Sequence, residues 1–309
     1  MFWNSKPQRC KTGFHRKNNK CIRNTSKKPI NSQQSPNSCS VDGKSFCKQG
    51  DKPLKPPIAR AGGKSQIAKK IIDKSPPHKV YVEPFVGGGA VFLKKPLAEK
   101  NVINDKDKDV VTAFKSFKEG SGFSKCDMRG SKEKYDKIKN KSNKSACDVA
   151  YLNKWSFGSN INGKRYVLDG NQSKKLKQYG NRFRPKDKDF GIKYQKAHLE
   201  DYKKKLQNTK ITNQDFNKVM QQNDSKETFH YLDPPYVGTE KIYKENDSVS
   251  PEKVCSVAKR MKGKVMISYN DHPLVRKSCK GMNFHKINTK YRLSSSSEKI
   301  GKEVLIKNY

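Results

Sequence analysis

The sequence predicts an α/β fold, a mostly parallel sheet covered by helices. Short apolar runs of strand type alternate with amphipathic helical stretches over residues 56–117 and 206–309, the pattern of strands joined by crossover helices. Two of those strands end in turns built to expose backbone, Glu83-Pro84-Phe85-Val86-Gly87-Gly88-Gly89 and Asp233-Pro234-Pro235-Tyr236. Between the two halves lies a polar, lysine-rich block, residues 118–205, that reads as an insertion projecting from the sheet.

Residues 1–55 are rich in Lys, Asn, Ser and Pro without sustained periodicity and read as a flexible basic arm. Cys10, Cys21, Cys39 and Cys47 fall within it, but none shows the close C-x-x-C spacing of common zinc modules. The globular part begins near Pro56-Pro57. A helix is expected over Lys64–Ile72, stopped by Ser75-Pro76-Pro77. Val80–Phe85 reads as a strand, followed by the glycines and a helix opening at Ala90. Val102-Ile103 is a second strand ending at Asn104-Asp105, and Val110–Phe117 a helix. In the insertion, helices are expected around Ala146–Lys154 and Tyr194–Leu206, with a loop-like stretch over Gly158–Phe190. Strand Lys210–Thr212, a helix from Asp215 and strand Phe229–Leu232 follow. Helix 251–261, strand Val265–Ile267, helix 273–279 and strands at 283–287 and 303–307 complete the chain.

The 309 residues carry 68 basic and 29 acidic side chains, a formal charge of +39. Such a field concentrates polyanions and points to nucleic acid. Lysine far outnumbers arginine and asparagine is abundant, so part of the charge also fits a genome-wide composition bias. No run approaches the ~18 apolar residues of a membrane span, and the first residues lack the apolar core of a secretory signal. With eight scattered cysteines, a reducing, intracellular compartment is expected, cytoplasm or nucleus. No ligand cluster for a metal is visible.

A strand running into a glycine-rich turn lets backbone approach a nucleotide-like ligand closely. The dinucleotide fingerprint fails, because Phe92 stands where its last glycine or alanine belongs. Gly63-Lys64-Ser65 imitates the end of a phosphate-binding loop, but Ile58 occupies the place of its first glycine. Lys64 remains available to an anionic group such as a carboxylate. Asp105 stands about twenty residues past the glycines, where α/β nucleotide sites put an acid for ribose hydroxyls. Asp215 opens a helix ahead of Phe216 and suits an N-cap. At Asp233-Pro234-Pro235-Tyr236 the prolines stiffen an extended corner and remove competing N–H groups. The corner presents a carboxylate, free carbonyls and an aromatic ring, which suits a planar base carrying an exocyclic amine.

Ala61-Gly62-Gly63-Lys64, Val82–Phe92, Asn104-Asp105, Asp215-Phe216 and Asp233–Tyr236, taken in that order, closely resemble the Dam-like (D12) class of DNA adenine-N6 methyltransferases. Glu303–Tyr309 is similar to that family's closing strand, and Tyr151-Leu152-Asn153-Lys154 to a segment of its target-recognition region. The resemblance covers residues 55–309. It implies a Rossmann-like methyltransferase sheet with S-adenosylmethionine as donor. It assigns the donor site to Arg60, Ala61, Gly62, Lys64, Glu83, Phe85, Gly87, Gly89, Asp105, Asp215, Phe216 and Asp233. It implies double-stranded DNA as substrate, met by Asn153, Lys154 and Arg165 of the insertion; no obligatory protein partner is evident in the sequence. The target adenine would be flipped out. Asp233 and the Pro234 carbonyl would accept its amine hydrogens beside Pro235, and Tyr236 would stack on the ring. The chain departs from the family where Arg60 replaces a common aromatic and Gly158-Ser159 replaces an Asn-Gly. Two rival readings use the same residues or charge: methylation of cytosine N4, and a non-catalytic basic DNA-binding protein on a methyltransferase scaffold.

Overall fold

The computed structural model describes residues 14–17, 20–23, 40–41, 44–45, 52–60, 62–156, 192–238, 249–291 and 299–309. The chain divides into Met1–Ser35 and Pro36–Tyr309. In the first unit Phe14–Lys17 pairs antiparallel with Lys20–Arg23. In the second, Ser40–Val41 pairs with Lys44–Ser45. The sequence between that second pair is Asp42-Gly43, a dipeptide that favours tight hairpin turns. The arm, expected to be flexible, thus contains two short ladders. The loop reading of Gly158–Phe190 lies outside the described residues.

Seven strands form the main sheet: β1 Val80–Glu83, β2 Lys100–Asn104, β3 Thr209–Thr212, β4 Thr228–Leu232, β5 Lys264–Asn270, β6 Asn283–Tyr291 and β7 Lys299–Lys307. Their spatial order is β6-β7-β5-β4-β1-β2-β3. β1 to β5 are parallel, while β7 runs antiparallel between β5 and β6. Near-continuous apolar strands such as Thr228–Leu232, buried at all five positions, are what a sheet covered on both faces requires. Strand order reverses between β1 and β4, so a crevice opens beyond their carboxyl ends, at Glu83 and Leu232.

Eight helices carry labels here: α1 Ala68–Ile72, α2 Lys108–Lys118, α3 Lys132–Lys139, α4 Ala146–Trp155, α5 Leu199–Gln207, α6 Phe216–Gln222, α7 Pro251–Arg260 and α8 Pro273–Ser278. α1 starts later than the sequence suggests, because the amides of Ile67 and Ala68 share the Lys64 carbonyl in a turn before it. No helix opens at Ala90. Residues 89–95 make a single turn, held by Leu93 N–H to Gly89 and Lys95 N–H to Val91, and Pro96, with no N–H, ends it.

Tyr81, Phe92, Phe114, Phe117 and Phe229 pack in one buried cluster, and that cluster continues through Phe123, Tyr135, Tyr151, Trp155 and Tyr202 of the inserted block. The Phe117 and Tyr202 rings lie 4.7 Å apart. The described parts of the insertion therefore share the core of the sheet rather than projecting from it. Cys126 meets Cys147, and Cys255 meets Cys279, as disulfides with Cα atoms 5.2 Å apart in each pair, a spacing such a bridge spans. Reading the scattered cysteines as reduced misses both contacts, since the partners are 21 and 24 residues apart. Among the described residues no helix is long and apolar enough to cross a membrane, and no His/Cys/Asp/Glu group of metal-binding type occurs.

Candidate active site

A cavity of about 590 Å³ opens at the carboxyl ends of β1 and β4, within the ~300–1,000 Å³ of typical small-ligand sites. The turn after β1 forms one wall. Gly87 and Gly89 have φ of 50° and 74°, a region that favours glycine. Val86 N–H donates to the Asn104 carbonyl at 2.9 Å, and Gly87 N–H donates to Asp105 Oδ2 at 2.8 Å. The other Asp105 oxygen accepts from Asp107 N–H at 2.9 Å. Burial pushes the Asp105 carboxyl up to about 6, against the pull of the Arg60 guanidinium and these amides. Arg60 itself pairs with Asp107 at 2.9 Å, and Asp107 caps α2.

Asn104 organises three of these segments at once. Its amide nitrogen donates to the Pro84 and Gln214 carbonyls, each at 3.0 Å. Its amide oxygen accepts from Thr212 Oγ1 at 2.7 Å and Gln214 N–H at 2.9 Å. The turn after β1, the end of β3 and the segment leading into α6 are thereby fixed to one buried side chain at the end of β2.

The corner after β4 forms the opposite wall. Lys64, 4% exposed, donates to Asp233 Oδ1 at 2.8 Å and to the Gly62 carbonyl at 2.7 Å. Its ammonium lies 4.5 Å from the centre of the Tyr236 ring, so the lysine touches both chemical elements of the corner. Burial pushes the Asp233 carboxyl up to about 6 even with that ammonium beside it. Behind it, burial drives Glu83 up to about 8, although Tyr81 Oη donates to it at 2.7 Å. Asp215 caps α6 by accepting from Asn217 N–H at 3.0 Å, so the N-cap reading holds, yet its side chain also lines the cavity. Phe216 packs 5.2 Å from Phe85, and Lys253 of α7 lies 3.6 Å from Asp215 and 5.4 Å from the Phe216 ring centre.

Nearly all the expected donor-site residues meet in this one cavity, with Asp233, Pro234, Pro235 and Tyr236. Gly89 does not line it. A Cβ there would stand 2.6 Å from Phe114, so that glycine serves the close packing of the turn. Ala61 and Arg165 lie outside the described residues. Asn153 and Lys154, expected at DNA, are half-buried and bond other parts of the chain. Asn153 bonds the backbone of Ala59, and Lys154 reaches the Met128 carbonyl at 3.4 Å and sits 5.0 Å from the Trp155 ring centre. Sequence reasoning missed Asn104, Asp107 and Lys253 as parts of the site.

A family model for D12 class N6 adenine-specific DNA methyltransferases matches residues 61–293, three-quarters of the chain. The chain belongs to this family. Type II methyltransferase M.MjaIII of Methanocaldococcus jannaschii is 29% identical over 305 residues, covering 83% of this chain and 99% of the relative. Type II methyltransferase M.CviBI of Paramecium bursaria Chlorella virus NC1A is 23% identical over 273 residues, covering 83% and 100%. A DNA N-6-adenine-methyltransferase of Escherichia phage P1 is 41% identical over 56 residues, only 18% of this chain and 7% of the relative. This D12-class methyltransferase is thus a site-specific, adenine-N6 DNA methyltransferase on a Rossmann-like sheet, and DNA is its substrate. Enzymes of the class generally use S-adenosylmethionine.

Proposed function

We propose that the chain binds S-adenosylmethionine in the cavity between the β1 and β4 ends and acts on an adenine flipped out of double-stranded DNA. The observation that carries this reading is the convergence of two residue sets on one cavity. Lys64, Gly87, Asp105, Asp215 and Phe216 are suited to the donor, and Asp233–Tyr236 to an amine-bearing base. The fit to the donor rests on chemistry present in the wall. Asp105 offers a carboxylate for ribose hydroxyls, and Phe85 and Phe216 offer ring faces for a purine. Lys64 offers a cation for the carboxylate of the methionine part. When bound, the donor supplies an electrophilic methyl on a sulfonium.

The chain's own part is alignment and acceptance. Asp233 and the Pro234 carbonyl accept the hydrogens of the adenine amine and hold its lone pair toward the methyl. Tyr236 offers a stacking face that holds the base out of the helix. Ionised Asp233 is the form that accepts two-sidedly, so the lysine beside it matters to the chemistry. A proton then leaves the methylated amine, with the carboxylate as its nearest acceptor. The lysine-rich surface supplies sequence-independent phosphate contacts, and the site of action is intracellular DNA.

Two binding measurements test this reading. Labelled S-adenosylmethionine should bind the wild-type protein and lose at least ~10-fold in affinity in Asp105→Ala, the loss of hydrogen bonds to a charged group. A duplex with 2-aminopurine at the target position should brighten on binding. No donor binding by the intact protein would sink the proposal.

A further inference from the structure

Residues 52–60 form a strap over the cavity, and its backbone is held from two sides. Tyr202 Oη donates to the Lys55 carbonyl. Gln195 Nε2 donates to the Pro57 carbonyl at 2.6 Å. Asn153 closes a pair of bonds with Ala59, accepting from its N–H at 3.2 Å and donating to its carbonyl at 2.8 Å. Three alternate residues of the strap are therefore gripped by three side chains of the inserted block. The partners are 147, 138 and 94 residues away in sequence. On the other side the strap meets the catalytic sheet. Leu54 N–H donates to the Leu93 carbonyl at 3.0 Å, and the Ile58 carbonyl lies so close to Gly88 that a Cβ there would stand 2.7 Å from it. Next along the chain come Arg60, tied to Asp107, and Lys64, tied to Asp233.

We infer that Asn153, with Gln195 and Tyr202, is a positioning residue that couples DNA engagement by the inserted block to donor binding in the cavity. The geometry gives the reason. Any shift of α4 or of the segment at Gln195 moves the backbone of residues 55–59, and that backbone can move only against the glycine turn or by displacing Arg60 and Lys64. This assignment is offered in place of a direct DNA contact for Asn153, whose amide oxygen and nitrogen each bond Ala59. It rests on the donor site proposed above.

The test is a thermodynamic cycle. The dissociation constant of S-adenosylhomocysteine is measured with and without a saturating adenine-containing duplex for the wild type, Asn153→Ala and Tyr202→Phe. The wild type should bind it ~5–150-fold more tightly with DNA present, the usual span of coupling between two sites. In Asn153→Ala that factor should fall toward one, and Tyr202→Phe, which removes one hydroxyl without disturbing the ring packing, should lower it in part. The same factors must appear in DNA affinity measured with and without S-adenosylhomocysteine. A factor near one in the wild type, or an undiminished factor in both variants, overturns the inference; if Asn153→Ala does not fold, Tyr202→Phe alone decides. Wild-type protein that fails to bind S-adenosylhomocysteine at all would instead refute the donor-site reading.

Discussion

Replacing Lys64 with methionine should move the pH dependence of methyl transfer rather than simply lower the rate. Lys64 is the cation in contact with Asp233, 2.8 Å from Oδ1 and almost fully buried. An opposite charge at this range holds a carboxyl down by ~1–3 pH units. Asp233 sits at about 6 because burial outweighs that pull, so without the ammonium it should rise to about 7–9. At pH 7 the ionised fraction would then fall from about nine-tenths to between about one-half and one-hundredth. The carboxylate is the form that accepts the amine hydrogens. Wild-type kcat/KM for DNA should therefore climb through a midpoint near 6 as pH rises. In Lys64→Met it should be depressed at pH 7 and recover in part by pH 9. The assay is transfer of labelled methyl to duplex DNA at saturating donor from pH 5 to 9.5, with thermal unfolding confirming a folded variant. A variant that loses activity with an unmoved midpoint would refute the role given to the pair, leaving Lys64 as a donor contact alone.

Asn104→Ala removes the partner of the buried Pro84 carbonyl and of the half-buried Gln214 carbonyl and N–H. With ~1–3 kcal/mol for a buried group left unpaired, and the Pro84 carbonyl the buried one of the three, urea unfolding should report a loss of about 1–3 kcal/mol, together with weaker donor binding. Glu83→Gln should flatten the pH dependence of stability. The folded protein keeps a proton to about 8 that the unfolded chain releases near ~4.3, so this group's contribution is full below ~4.3 and is lost as pH rises through about 8. Melting temperatures of wild type and variant should diverge with rising pH, in favour of the glutamine. Gly88→Ala places a Cβ 2.7 Å from the Ile58 carbonyl and should push the strap outward; calorimetry should find donor affinity down by ~10-fold or more, an estimate for a shifted wall of the site.

What the sequence made legible is local. The corner at Asp233–Tyr236 is stiff because of two adjacent prolines, and the turn at Gly87 is permissive because of its glycine, so both could be read without knowing what surrounds them. Their order along an alternating pattern was enough to place them at neighbouring strand ends. The roles that sequence does not show act at a distance. Asn104 bonds Gln214 across 110 residues, and Asn153 reaches Ala59 across 94. Asn153 read as a DNA contact because polar residues in an insertion are available to a ligand until a partner is found for them. The helix expected at Ala90 fails for a local reason visible in the sequence, Pro96, which ends the turn begun at Gly89. The shared core of the insertion was obscured by its lysines, which dilute a set of aromatic residues, among them Tyr135, Tyr151, Trp155 and Tyr202, that pack together only once the chain is folded.

The central claim is methyl transfer to the adenine amine by way of the Asp233 corner. Duplex DNA incubated with the protein and methyl-labelled S-adenosylmethionine, then digested to nucleosides and separated, tests it most directly. All label should run as N6-methyldeoxyadenosine, and Asp233→Ala should abolish it while still binding the duplex. Label in N4-methyldeoxycytidine, no label from the folded wild type, or undiminished transfer by Asp233→Ala would contradict the account.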